Sequence, residues 1–262
     1  MTLSGLEGPR AAGLVRHGGS VIVLGAVLTL WWFASHFGWV SKVFLPTPEA
    51  AVGSLLSGMS STGGLGEDTW LTVQRMLIGW LIASLLGVGI GAVVGMSRRA
   101  RVYVQPMLEF IRPLPASAVM PFAISAFGLN PSMVLFVVAF GAVWPVMLAT
   151  AHGMASVEPQ LKEVAAAMEL GKPAFIWKIG LPNAAPDILA GMRLSLTVAL
   201  IVSIVGEMLA SQAGLGRAVL LAARSFQSSE LFAGVVLIGA IGFASNLCLA
   251  AAERRLVRWK TI

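Results

Sequence analysis

The sequence is poor in the residues that build redox, metal and catalytic sites. It has one cysteine, one tyrosine and three histidines in 262 residues. A lone Cys248 excludes an intrachain disulfide and argues against a cysteine-based metal cluster. His17, His36 and His152 fall on separate segments, with no metal-ligand spacing and no triad pattern among them. No G-x-x-x-x-G-K-[ST] phosphate loop occurs, so this chain does not carry that type of ATP hydrolysis. Charge is scarce as well: 11% of residues are charged, where soluble domains carry about 25%. What fills the space is apolar, 57% of the chain, with mean hydropathy +0.84. Several long apolar runs of this kind mark a polytopic, all-α membrane protein. The net charge of +6 sits between those runs, which reads as membrane topology rather than nucleic-acid binding.

A crossing needs about 20 apolar residues. Six runs qualify as expected spans, near 20–39, 76–96, 107–128, 131–152, 186–210 and 230–252. The first follows Arg10 and Arg16 and continues through "LTLWWFASHFGW", too long for a signal-peptide core, so it is expected to remain uncleaved. Pro113, Pro115 and Pro121 interrupt the third, which is expected to be bent and to face the bundle. "SQAGLGRAVLLAARSFQSS" is too short and polar to cross and reads as a loop with a brief surface helix. With both termini in the cytoplasm, twelve Lys and Arg fall inside and four outside, which the positive-inside rule favours. The expected organisation is a tail at 1–19, a membrane domain at 20–252 and a basic tail at 253–262.

One stretch breaks the apolar pattern. Residues 162–178 hold Lys162, Lys172, Lys178, Glu163 and Glu169. Val157, Leu161, Val164, Ala165 and Met168 recur at helical spacing, with Lys162, Glu163, Ala166 and Glu169 elsewhere on the helix. Ser156 suits the N-cap, and Gly171 and Pro173 the end. A second short helix would carry Phe175, Ile176 and Ile179 until Leu181-Pro182 turns back toward the membrane. Two readings stand: a surface loop packed on the protein's own face, or an element that a soluble partner grips.

The stretch "EVAAAMELGKPAFIWKIGLP" resembles the EAA loop of ABC-transporter permeases. Glu163, Ala165, Ile179, Leu181 and Pro182 match that pattern at its spacing. Val164 replaces its first Ala and Glu169 its Gly, and Gly171 is expected to supply the bend instead. "FLPTPEAAVGSLL", "IRPLPASAVMPFAISAFGLNP" and "GLPNAAPDILAGMRLSLTVALIVSIVGEMLASQAGLG" extend the similarity to permeases of the aliphatic-sulfonate, taurine and nitrate group.

This resemblance implies a multi-pass permease of the bacterial inner membrane working by alternating access. Its partners would be a cytoplasmic ATPase dimer holding ATP and Mg, a second permease copy, a substrate-binding protein on the outer side, and membrane lipid. The loop 155–182 would be the coupling element, with Glu163, Ala165, Ala166, Ala167, Met168, Glu169, Gly171 and Lys172 at the contact. A small organic or inorganic anion is the expected solute.

Beside the resemblance, Gly87, Gly91 and Gly95 form a small-residue stripe that lets two helices approach closely. Intramembrane polar residues are candidates for the pathway or gate. Glu207 lies about 31 Å along a helix starting at Pro186, at the outer interface, either solvated, structurally paired or gating. Arg193 either snorkels to the inner interface or faces the pathway, and Arg112 has the same two readings. Ser117, Ser125, Ser195, Thr197 and Ser203 either line the cavity or bond their own helix carbonyls. A secondary transporter or channel acting without an ATPase is the alternative, although no internal repeat or midspan charge pair is evident in the sequence.

Overall fold

The computed structural model describes residues 9–61 and 64–256, and the side chains of residues 9–18, 20, 21 and 98 are outside the description. Tail positions 1–8 and 257–262, including Arg258 and Lys260, therefore lie outside the described residues, as do the side chains of Arg10, Arg16 and Arg98. All regular elements among the described residues are helical.

Helix α1 spans Pro9–His36, and α2 spans Pro48–Ser60. Thr47 caps α2, its hydroxyl accepting from the Ala50 N–H, with Pro48 pre-set for the first turn. Helix α3 follows over Leu65–Met96, 32 residues. It starts eleven residues before the expected boundary at 76, because Glu67, Asp68 and Arg75 dilute the apolar signal without interrupting the helix.

The expected third span is broken. Helix α4 covers Arg98–Ile111, a 3-10 turn covers Ala116–Val119, and α5 covers Met120–Phe127, with an 87° bend between the halves. Pro113 and Pro115 remove backbone donors at the break, and the residues before them are biased away from helical geometry. Helix α5 packs Met120 and Ala123 into the core beside Met133, Val134 and Val137. Helix α6, Pro131–Ala155, opens on an Asn130 cap that accepts from the Ser132 and Met133 N–H groups.

After α6 comes a short helix α7, Pro159–Ala167, capped at Glu158 rather than Ser156, which instead closes α6. Helix α8, Lys172–Phe175, runs through a π turn at Ile176–Gly180 into α9, Leu181–Ala210. The three form one helical stretch, Lys172–Ala210, so the expected turn at Leu181-Pro182 is absent. Its physical reason is the π turn, in which the Leu181 N–H donates to the Ile176 carbonyl. That wider winding accommodates Pro182, which has no N–H to give. Helix α10, Leu215–Arg224, is the brief helix expected after the fifth span, and α11 covers Ser228–Leu256.

Four of these stretches are long and apolar enough to cross a membrane: Leu65–Met96, Pro131–Ala155, Lys172–Ala210 and Ser228–Leu256. The bent pair counts as a fifth if taken as one span. Of the expected first span, the described apolar part is Ile22–His36, within the longer helix α1. The core is the contact of α6 with α3 on one side and α9 on the other, filled by Met133, Val137, Val138, Ala142, Ala199 and Leu200. Close approach along α3 requires its glycines. A Cβ on Gly87 would stand 2.8 Å from Val146 Cβ, one on Gly91 2.5 Å from the Met147 carbonyl oxygen, and one on Gly95 2.7 Å from the Ala151 oxygen. Real Cβ atoms do not come that near backbone oxygens, so this seam admits no side chain at Gly91 or Gly95 without separating the helices.

Candidate functional site

The interlude at 157–171 stands at the end of the bundle where α3 stops and α6 ends. Val157 and Ala165 are buried and tie α7 to the bundle. Glu163, Ala166, Ala167, Met168, Glu169, Gly171 and Lys172 are all exposed. The apolar stripe therefore splits: Val157 and Ala165 face inward, while Val164 and Met168 are 51% and 66% exposed. A short helix with small residues flanked by acid, base and a bare methionine is a surface of the kind a partner can seat upon.

The turn after α7 corrects an expectation. Glu169 has φ +51°, the left-handed region, whereas Gly171 has φ −63° and makes no such bend. Position 169 is where the EAA pattern carries glycine, and the backbone there adopts the conformation that glycine enters most cheaply. The Leu170 N–H donates to the Ala165 carbonyl and the Glu169 N–H to Ala166, closing the helix end.

At the opposite end of α3 lies a cluster built around Glu207, which is fully buried. Its carboxylate accepts from Thr72 Oγ1 at 2.9 Å, Arg75 Nη1 at 2.8 Å and the Gly216 N–H at 3.0 Å. Ser203 adds a weaker contact at 3.4 Å. Arg75 also donates to the Ala213 carbonyl at 2.6 Å, and the Leu215 N–H donates to Thr72 Oγ1 at 2.9 Å. Gly214, at φ +148°, passes so close that a Cβ would stand 2.4 Å from the Glu207 carboxyl carbon. Glu207 is thus paired and dry, and the solvated alternative falls away. Its partner was hidden because Arg75 stood one residue outside the expected span.

The remaining candidates separate. Ser195 is buried and donates across to the Ala142 carbonyl of α6 at 2.6 Å, so neither it nor Ser203 opens onto a cavity. Thr197 is exposed and reaches only its own helix, the Arg193 carbonyl, at 3.4 Å. Arg193 pairs with Glu253 of α11, a partner not foreseen. Ser125 is exposed on α5, and Ser117 lines a cavity of about 160 Å³ with Met120, Val137, Ile201 and Val205. Arg112 is exposed beside a cleft of about 330 Å³ between α4 and the last turns of α6, which also takes in Arg101, Gln105, Glu109 and His152. Among the described residues no group of three or more His, Cys, Asp or Glu side chains is placed to hold a metal.

The family of binding-protein-dependent transport system inner membrane components matches residues 83–261, well over half of the sequence. This chain belongs to that family. The permease is 32% identical to a Bacillus subtilis (strain 168) chain, SsuC, named for aliphatic sulfonates transport, over 89% of its own length and 84% of that chain. It is 28% identical to the taurine transport system permease protein TauC of Escherichia coli (strain K12), over 92% and 89%. The bicarbonate transport system permease protein CmpB of Synechococcus elongatus is 29% identical, over 81% and 78%. Among solved structures, a chain from the inward-facing MetNI methionine ABC transporter superposes with a TM-score of 0.62. It is 18% identical and covers 81% of the permease and 98% of itself, a likeness of fold.

Proposed function

We propose that this permease is the translocating subunit of an ATP-driven importer of a small anion, with a partner ATPase gripping the α7 hairpin. The observation that carries the reading is the hairpin itself. Val157 and Ala165 anchor it, while Glu163, Ala166, Ala167 and Met168 present an unpartnered face. ATP and Mg belong to the ATPase dimer. Two permease copies flank the pathway, both termini and the hairpin lie in the cytoplasm, and a binding protein delivers solute on the outer side. Sulfonate, taurine and bicarbonate, named for the relatives, are anionic or carry an anionic group, which supports the solute class. The ATPase shifts the permease between inward-open and outward-open states by binding them unequally.

Gentle purification from the native membrane, with partners identified by mass spectrometry, tests this. Recovery of a Walker-containing ATPase that is lost on Glu163→Lys, while the variant still inserts, supports the coupling role. A chain recovered alone that moves solute in liposomes without ATP is a secondary transporter, and the reading fails.

A further inference from the structure

Helix α4 is built inside out. Arg101, Gln105, Leu108, Glu109 and Arg112 lie within about 100° of arc on one side, at 100° per residue, and all five line the cleft against α6. On the opposite side Tyr103, Met107 and Phe110 are 78%, 64% and 83% exposed. A helix at the surface of a water-soluble protein turns its apolar stripe inward. Here the polar stripe faces the bundle and the aromatic stripe faces away. In a membrane protein that reversal places hydrocarbon outside the helix and water between it and its neighbours.

The cleft between them is positively biased. Arg101 and Arg112 bring two guanidiniums, and His152 of α6 adds a ring N–H donor in either tautomer. The one carboxylate in the cleft, Glu109, already accepts from Gln105 Nε2 at 2.7 Å. Arg101 spends one Nη on the Gly95 carbonyl at 2.7 Å, which fixes it at the end of α3, and no carboxylate pairs with either arginine among the described residues. A neighbouring cleft of about 540 Å³ shares Arg101 and brings Lys162 of the hairpin to its wall. Planar guanidiniums with open donors suit a sulfonate, carboxylate or phosphate group.

We infer that the α4–α6 cleft is a water-filled anion site at the hairpin end of the solute pathway, with Arg101, Arg112 and His152 as its ligands. It holds the anionic head of the solute before release. The inference rests on the permease reading for the identity of the solute, though the site itself stands on the geometry of α4. An anionic lipid headgroup shares the same chemistry, and the test separates the two.

With Cys248→Ala as background, Gln105→Cys and Leu148→Cys each put a thiol on a wall of the cleft, and Met107→Cys puts one on the outer stripe. The full chain, with any ATPase that co-purifies, is reconstituted in phosphatidylcholine nanodiscs and labelled with an anionic sulfonatoethyl or a cationic trimethylammonioethyl methanethiosulfonate. Rates are normalised to those with a free thiol. The expected result is about tenfold preference for the anionic reagent in the cleft, the scale on which a charged cleft focuses its counter-ion. Arg112→Gln should erode that preference, millimolar ethanesulfonate should slow labelling, and Met107→Cys should react with neither reagent. Equal rates for the two reagents, no labelling of either cleft thiol, or ready labelling of Met107→Cys would overturn the site. Protection that appears only when phosphatidylglycerol is added, and not with ethanesulfonate, overturns the solute assignment in favour of a lipid. Labelling needs neither ATP nor transport, so a preserved anion preference alongside a failed ATPase recovery would sink the importer reading and leave the site.

Discussion

At one end of α3, Arg75 is held by Glu207 and the Ala213 carbonyl in a fully occupied cluster. Just beyond the other end, Arg101 and Arg112 border an open cleft whose only carboxylate is already engaged. The same side chain serves two ends because its neighbours differ. Around Glu207 each oxygen has a donor, and two backbone N–H groups from the first turn of α10 are drawn into the cluster. A buried charge so saturated has nothing left to offer a ligand, and its removal is costly. Guanidiniums with unused donors beside water can exchange partners, which is what a transport pathway requires. Burial and the count of satisfied donors separate these roles together.

The sharpest way to break this comparison is Glu207→Ala. It strands the Arg75 guanidinium in a site 11% exposed and should cost about 3–5 kcal/mol, the scale for removing one partner of a buried pair. A fall in midpoint on thermal unfolding in detergent would show it, and the double variant Arg75→Met/Glu207→Leu should recover most of the loss. Gly91→Val comes next, since its branches would enter the Met147 and Thr150 contacts. Overpacking of this kind costs about 1–3 kcal/mol, read from the same melt. Glu169→Gly should work in the other direction. It relieves about 1–2 kcal/mol of left-handed strain but adds unfolded-chain freedom worth about 0.5–1, so a gain of about 0–1.5 kcal/mol is expected. The smallest effect on stability belongs to Arg112→Gln, within about 0.5 kcal/mol for an exposed group in an open cleft. An unchanged melt with altered anion selectivity would sharpen the contrast with Glu207→Ala.

Much of the fold could be read in the sequence because hydrocarbon imposes a single demand. The runs that became α3, α6, α9 and α11 are long, apolar and bounded by charge. Gly87, Gly91 and Gly95 announced a close seam by spacing, without saying which helix would fill it. The proline-broken third span was legible as bent. What stayed hidden depends on pairs distant in sequence. Arg75 and Glu207 are 132 positions apart, and nothing local marks either as the other's partner. Arg193 and Glu253 are hidden for the same reason. The inverted amphipathicity of α4 was hidden differently, since periodicity reveals that two faces exist but not which one turns inward. Glu169 taking the glycine's conformation reflects strain that the surrounding turn imposes and local preference opposes.

The unbroken course from Lys172 to Ala210 has a mechanical side. Thirty-nine residues at 1.5 Å each make a rod of about 58 Å. Its near end is half of the exposed hairpin, and its far end carries Glu207 and the connection clamped to α3. The π turn and Pro186 are its points of compliance, and both sit in the first half. Beyond them the beam is stiff, so a displacement applied at the hairpin arrives at the far clamp as tilt instead of being absorbed on the way.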